Sequence, residues 1–320
     1  NKDTAMFNLF RAVPRHLAPS MAAVLAASLA LADAQPAKDP LPSPAADLLK
    51  TLDPFYKQHV SAGGLLIVAS EKVSPYALRE VAYLAQRMLA NRPDVLQELI
   101  RKQMYVCVMA CGEMQTDLPE CRKMSLWWAK RARGLGGRPV SCGEENQLDY
   151  KGDPYRGENI FIHEFAHGIH GALGRLDAKF NERLKALHQE ARQTGRFRGY
   201  GMGSPGEFWA EGAQTWFHCN RRGGLEVLAA DDNRYRDVDT RQALKEHLPA
   251  LAQLLDESFA RNRWVYVPVR DRFGRDHLRG YDPAGAPTFR WPKHVIEAYN
   301  RIEAERAQKR KQEERRDAKK

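Results

Sequence analysis

The chain has 320 residues, of which 43% are hydrophobic, and this is enough for a sizeable core in one large domain or two lobes. Its formal net charge at pH 7 is +10, and residues 301–320 alone contribute nine Lys or Arg against five Asp or Glu. The remaining charge lies in clusters of mixed sign, without a basic stripe interleaved with aromatic residues. This distribution argues against a nucleic-acid-binding protein and favours a soluble basic protein with a charged tail.

Residues 1–34 have the pattern of a secretory signal peptide. Two arginines precede a short apolar run at 21–32, and the segment ends in a small-x-small sequence at Ala34. The run is too short to span a bilayer comfortably, so we expect cleavage after Ala34 and no stable membrane span, with an uncleaved anchor as the alternative. The mature protein is therefore predicted to be secreted or periplasmic.

A folded domain is predicted to follow a Pro-rich linker at 35–47 and to extend over residues 48–300. An apolar run after two glycines, at 63–70, predicts a buried strand. Helical spacing begins after Ser74 and Pro75, and residues 104–109 predict a second strand. The first part of the domain therefore has a strand–helix–strand pattern.

The rest of the domain is predicted to be mainly helical. Residues 132–157 are rich in Gly, Pro and charged residues, which indicates a long loop that is functional or covers the surface. Helical patterns then dominate from Glu158 to about residue 260, and residues 263–271 predict a late strand. The charged tail, 301–320, is expected to be a solvated helix, with a surface-binding arm as the alternative. The expected fold class is α+β, with a mixed sheet and a mainly helical C-terminal part.

Five cysteines in an exported protein favour disulfides over a cysteine metal site. No C-x-x-C motif is present, and the odd number leaves one thiol unpaired or paired between chains. We hypothesise a bridge between Cys142 and Cys219; the five positions are Cys107, Cys111, Cys121, Cys142 and Cys219.

The strongest chemical signal is an H-E-x-x-H motif at His163, Glu164 and His167. Histidines four residues apart lie on one face of a helix, where both can reach one zinc ion at about 2.0–2.1 Å. Glu164 is then placed to act as a general base on the attacking water. The alternative is an amphipathic helix whose histidines occur by chance, and Gly171 and Gly174 predict where this helix ends.

A catalytic zinc site normally needs a third protein ligand. His170 lies about 10 Å along the helix from His163, too far to share one ion with both motif histidines. The extended H-E-x-x-H-x-x-G-x-x-H pattern also fails, which argues against the metzincin class. Glu207 on a later helix is the third candidate, although an S-x-x-E capping box with Ser204 also explains it. Glu211, one turn further on, is expected to hold a ligating histidine by its other ring nitrogen.

Together these motifs resemble gluzincin-type zinc metallopeptidases, in particular the family of the anthrax lethal factor catalytic domain. The resemblance implies that His163, His167 and Glu207 bind zinc, that Glu164 is the base, and that Tyr200 donates a hydrogen bond to the developing oxyanion. It covers residues 157–217, about a fifth of the chain, and the matching pieces are His163-Glu164-Phe165-Ala166-His167, Tyr200-Gly201 and Glu207-Phe208-Trp209-Ala210-Glu211. Elsewhere the chain departs from that family, so its toxin-like targets are not carried over.

We therefore expect a zincin-like metallopeptidase that binds one Zn²⁺ per chain and hydrolyses peptide bonds in a peptide or protein substrate. Two alternatives remain: a zinc hydrolase of a non-peptide cell-envelope amide, and a non-catalytic binding protein on a zincin scaffold. Trp127 and Trp128 are either a flat substrate surface or core residues. The acids of 112–120 either line the cleft or form a polar turn, and the segment 142–146 is a candidate cover for the site.

Overall fold

The structure is a computed structural model that describes residues 43–221 and 223–317. The predicted signal peptide, 1–34, and most of the predicted linker lie outside the described residues. The first helix, α1 (Ser43–Thr51), already begins inside the segment predicted to be the linker. Within the described ranges, no helix is long and apolar enough to cross a membrane.

A five-stranded mixed sheet forms the first half of the fold, in the order β1-β2-β3-β5-β4. The central strands β2, β3 and β5 are parallel to each other, and the two edge strands, β1 and β4, run antiparallel to their neighbours. The predicted strands at 63–70 and 104–109 are confirmed as β2 and β3. The strands are β1 (Gln58–Ala62), β2 (Leu65–Ala69), β3 (Tyr105–Met109), β4 (Gly134–Leu135) and β5 (Val140–Gly143).

Both faces of this sheet are covered, which is why β2 is a continuous apolar run rather than an alternating one. Leu65 and Ile67 point into the main core, whereas Leu66 and Val68 belong to a smaller core on the side of α1. The predicted helix after Ser74 is confirmed as α2. The helices that follow α1 in this half are α2 (Pro75–Met88), α3 (Pro93–Arg101), α4 (Leu126–Arg131) and α5 (Glu144–Gln147).

The second half is mainly helical, as predicted, but it also contains a small antiparallel sheet in the order β6-β7-β8 that the sequence pattern did not indicate. The helices are α6 (Ile160–Leu176), α7 (Phe180–Gln193), α8 (Pro205–Trp216), α9 (Arg241–His247), α10 (Pro249–Ser258) and α11 (Lys293–Asp317). The strands are β6 (Phe197–Arg198), β7 (Glu226–Leu228) and β8 (Tyr235–Asp237). Together the two halves form an α+β fold with a mixed sheet.

The prediction that 132–157 is a loop is wrong, because this segment contains β4, β5 and α5. The polar residues at 141–147 are buried and hydrogen-bonded inside the protein, whereas Arg138, Lys151 and Arg156 are exposed. Arg133 is fully buried and donates to both carboxylate oxygens of Glu145, at 2.6 and 2.9 Å. Glu144 accepts hydrogen bonds from the backbone N–H groups of Ser74 and Cys111. The segment 142–146 is therefore part of the interior and not a cover over a site.

Two further boundaries differ from the prediction. Residues 263–268 form no strand: Tyr266 N–H donates to Phe217 O, and the segment packs into the core by its side chains. Helix α6 continues through both glycines and ends at Leu176. A β-like composition needs a neighbouring strand to become a strand, and glycine is tolerated in a helix when the helix is packed on both sides.

The hypothesis of a Cys142–Cys219 disulfide is also wrong. All five cysteines have free thiols, and all except Cys121 are buried. Cys142 lies within the central strand β5, whereas Cys219 follows α8, and burial raises the pKa of both thiols. These cysteines behave as small apolar core residues.

Candidate metal centre and active site

Helix α6 carries the motif histidines, and its first turn is held in place by two asparagines. The side chain of Asn159 accepts a hydrogen bond from Ile162 N–H at 3.0 Å, which caps the helix. Asn146 accepts from Ile160 N–H at 2.8 Å and donates to Glu158 O at 3.0 Å. With the apolar side of the helix packed in the core, His163 and His167 face a cavity.

Helix α8 brings the third predicted ligand to the same place. Ser204 caps the helix by accepting from Glu207 N–H at 3.1 Å. The Glu207 carboxylate does not complete a capping box; its Oε2 lies 3.1 Å from His163 Nε2 and 3.4 Å from His167 Nε2. A hydrogen bond also joins the two helices next to these residues, where Trp209 Nε1 donates to Ala166 O at 2.7 Å.

These distances fit a small tetrahedral ion. Two ligands that are each about 2.0–2.1 Å from a tetrahedral zinc ion are separated by roughly 3.3 Å. The observed separations of Glu207 Oε2 from the two Nε2 atoms lie on either side of that value. His163, Glu164 and His167 also offer ligand atoms that all lie within 4.8 Å of one another. Two imidazoles and one carboxylate are a donor set that suits zinc, and the two distances from Glu207 are of the size that a shared ion requires.

The other ring nitrogen of His163 is held by Gln214, which the sequence analysis missed. Gln214 Oε1 lies 2.9 Å from His163 Nδ1, while its amide nitrogen donates to Asn159 O at 3.1 Å. These bonds orient the amide so that its oxygen faces the ring, and Nδ1 is then the protonated nitrogen. Glu211, expected in this role, lies further away at 3.7 Å. Gln214 is one turn beyond Glu211 on α8, and this spacing was the only sequence signal for it.

The charges at the centre depend strongly on each other. Burial lowers the pKa of His163, but the hydrogen bond to Glu207 and the nearby carboxylates outweigh it and raise the pKa to about 10. Burial raises the pKa of Glu207, but its bonds to His163 and His167 hold it well below the usual range. Burial raises the pKa values of Glu164 and Glu211. Two imidazoles and several carboxylates thus share a site that favours a bound cation.

Glu164 and the edge strand β4 lie side by side at the cavity. A Cβ at Gly134 would lie 3.1 Å from the Glu164 Cγ, and the main chain at Gly136 opposes the rise in the Glu164 pKa that burial causes. A Cβ at Gly136 would lie 2.8 Å from the Cβ of His167, so only glycine allows the chain to pass this close to α6. The main chain of the β4 edge therefore runs directly beside the motif.

Tyr200 also lines the cavity and lies in a short 3₁₀ helix, Tyr200–Gly203. Its side chain is 47% exposed, and its ring centroid lies 6.1 Å from that of His163. The backbone N–H of Tyr200 donates to Gly223 O at 3.0 Å. Gly199 has φ of +109°, and a Cβ there would lie 2.6 Å from Gly224 O, so this glycine permits the close crossing. The hydroxyl group is accessible to a molecule in the cavity.

The cavity has a volume of about 550 Å³, and α4 forms one of its walls. Trp127 and Trp128 line it, and Trp127 is braced from behind by α11: its Nε1 donates to Glu303 at 2.6 Å, and its ring stacks on Tyr299. Arg306 lies over the same ring at 4.2 Å. The predicted charged tail is helical to Asp317 and mostly exposed, but near its start Glu303 and Arg306 contact Trp127 of the cavity wall.

Other candidate residues lie outside the centre. His170 Nε2 is 2.9 Å from Asn181 Oδ1, and its ring packs against Phe180. Glu113 is buried and accepts from Ser70 Oγ at 2.6 Å, and Glu120 accepts from two tyrosine hydroxyls. The acids of 112–120 thus stabilise the fold and do not line the cavity.

No protein-family model matches the chain, and a search of the curated proteins gives no significant match.

Proposed function

We propose that the protein is a zinc-dependent metallopeptidase, with one Zn²⁺ held by His163, His167 and Glu207. The observation that carries this proposal is the position of Glu207 Oε2, 3.1 and 3.4 Å from the two Nε2 atoms at the edge of an open cavity. A structural zinc site is closed by four protein ligands, whereas a catalytic site has three and opens to solvent. The arrangement here supports the catalytic kind.

Glu164 is the general base of the proposed reaction. A zinc ion bound here supplies a Lewis acid and lowers the pKa of water to about 7. The Glu164 carboxylate accepts a proton from the water that attacks the scissile carbonyl, and then delivers it to the leaving amine. Its raised pKa brings it closer to neutral pH, where one group can both accept and donate a proton.

Tyr200 serves as a hydrogen-bond donor to the oxyanion. Its pKa is raised, first by burial and then by the Glu207 carboxylate, so the phenol keeps its proton at neutral pH. Such a donor is typically worth ~2.7–4 kcal/mol in the transition state. Its place in a short helix beside His163 keeps the hydroxyl group on the cavity side.

The edge strand favours a peptide over another amide as the substrate. Among the described strands, β4 lies at the end of its sheet and pairs on one side only, with β5. Gly134, Leu135 and Gly136 line the cavity. An extended peptide can add to such an edge through main-chain hydrogen bonds. The mixed sheet beside the motif helix also supports the proposed likeness to the zincin fold.

The first test is cleavage of a degenerate peptide library by the zinc-loaded protein, with Glu164→Gln as the matched variant. We expect wild type to release products and Glu164→Gln to lose about 10²–10⁴-fold in rate while it still binds one zinc per chain. Mass spectrometry of the products and metal analysis give both results. Equal activity of the two proteins would overturn the role of Glu164. Zinc binding without any products would favour a non-peptide amide or a binding role.

A further inference from the structure

Two arginines lie at the cavity, and only one of them is paired with an acid. Arg221 lies 3.0 Å from the buried Glu158 carboxylate and above the Tyr155 ring at 5.5 Å. Arg131, the last residue of α4, forms no ion pair with any carboxylate that the structure describes, and its side chain is exposed. The wall therefore carries one positive charge that the protein itself does not balance.

The main chain at Arg131 is held in place. Tyr155 donates from its hydroxyl to Arg131 O at 3.2 Å, and Ala132 N–H donates to Trp128 O at 3.2 Å. Gly134, the first residue of β4, follows only three residues later. The Arg131 side chain thus projects from a fixed backbone next to the strand edge along which a peptide is expected to bind.

We infer that Arg131 selects substrates that carry an acidic side chain close to the scissile bond, a conclusion that rests on the proposed peptidase function. A peptide paired with β4 points every second side chain to the same face, and one of them passes the α4 wall. The planar guanidinium group can bind a carboxylate through two parallel hydrogen bonds. None of the described carboxylates forms an ion pair with Arg131, and Glu158, one of the acids that line the cavity, lies 3.0 Å from Arg221 instead.

The competing explanation is that Arg131 only supports Tyr200. Arg131 and Tyr200 line the same cavity, and the charge of Arg131 opposes the rise in the Tyr200 pKa that burial causes. A supporting role would change the turnover of all substrates by the same factor. A selecting role changes the ratio between acidic and neutral substrates, and this ratio separates the two explanations.

The experiment uses peptides that differ only by Glu, Gln or Lys at each position flanking the cleaved bond. We expect wild type to prefer Glu over Gln by about tenfold in kcat/KM at one position. Arg131→Gln should reduce that ratio to near one, Arg131→Lys should keep part of it, and Arg131→Glu should shift the preference to Lys. Arg183→Gln is the control, because Arg183 pairs with Glu257 outside the cavity.

The same peptides are also titrated against zinc-loaded Glu164→Gln, with and without Arg131→Gln, to measure binding without turnover. An unchanged Glu-to-Gln ratio in Arg131→Gln, or no acidic preference in wild type, would overturn the inference while leaving the peptidase proposal intact. Acidic preference in binding without cleavage by wild type would retain the role of Arg131 and overturn the peptidase. No binding of any peptide would overturn both.

Discussion

Two clusters in this molecule combine a histidine with a buried glutamate, and they differ in how their charges are balanced. In the first, Glu80 of α2 is fully buried and accepts two hydrogen bonds from Arg272, both at 2.8 Å. His277 Nε2 lies 2.7 Å from the same carboxylate, and its ring stacks on Tyr83 at 4.2 Å. Both oxygens of Glu80 are satisfied by protein groups.

The second cluster, at His163, lacks such a cation. Glu207 faces two imidazoles, and Glu211 Oε2 is buried without a hydrogen-bond partner in the described part of the chain. This cluster also opens to a cavity, whereas Glu80 is closed off by side chains. A buried His–Glu pair is therefore not in itself a sign of function. Two features distinguish the second cluster: Glu207 has no arginine partner among the described residues, and a ligand has access to it.

The largest effects are expected when Glu80 and Glu207 are each replaced by alanine in separate variants. Glu80→Ala leaves Arg272 buried without its partner, and we expect a loss of about 3–5 kcal/mol in the free energy of unfolding, with zinc still bound. Glu207→Ala removes a zinc ligand, and we expect zinc affinity to fall more than about a hundredfold. This is more than the loss of about 10–100-fold expected when a residue that hydrogen-bonds to a ligand is removed. Urea unfolding and chelator competition measure the two effects. Loss of zinc from both variants, with similar stability, would mean that the comparison is wrong.

A smaller effect is expected at the group that orients His163. Gln214→Leu removes the hydrogen bond at Nδ1, and we expect about a 10–100-fold loss of zinc affinity. Glu211→Gln should cost less, because its carboxylate lies 3.7 Å from the ring rather than 2.9 Å. Chelator competition on both variants checks this order. The reverse order would restore Glu211 as the residue that orients His163.

A separate test of the comparison is the pH dependence of zinc binding, whose first measurement needs no substitution in the protein. Because the pKa of metal-free His163 is raised to about 10, the ring carries a proton at pH 7 that zinc has to displace. Zinc affinity should therefore rise by about tenfold per pH unit from neutral pH towards pH 10. In Glu207→Gln the raising interaction is lost, so the rise should level off at lower pH. Parallel curves for wild type and Glu207→Gln would argue against the His163–Glu207 coupling.

The parts of the site that follow local rules were predictable. The four-residue spacing of His163 and His167 puts them on one helical face whatever surrounds the helix. Ser204 and Pro205 define the start of α8 by capping and by the fixed φ of proline. The apolar runs of β2 and β3 are strands for the same local reason. Glu164 follows His163 on the same helix, whereas the role of Tyr200 was implied only by the family resemblance and its position depends on the contact with Gly223.

Other features depend on residues far apart in the chain. Glu207 had two uses that the sequence left open, and the packing of α8 on α6 turned its carboxylate to the histidines instead of back to the cap. No local pattern distinguishes Gln214 from other polar residues. Its role depends on contacts with Asn159, just before α6, and with Cys219, which follows α8.

The sequence by itself determined the motif helix, the capped helix of Glu207 and the buried strands, because short-range spacing and backbone preferences are enough for each of them. Tertiary structure decided that residues 132–157 form strands rather than a loop, since Arg133 is neutralised inside the protein by Glu145. It also left all five thiols free and residues 263–268 without a partner strand. Pairing, whether of charges, strands or cysteines, depends on which distant residues meet, and composition does not carry that information.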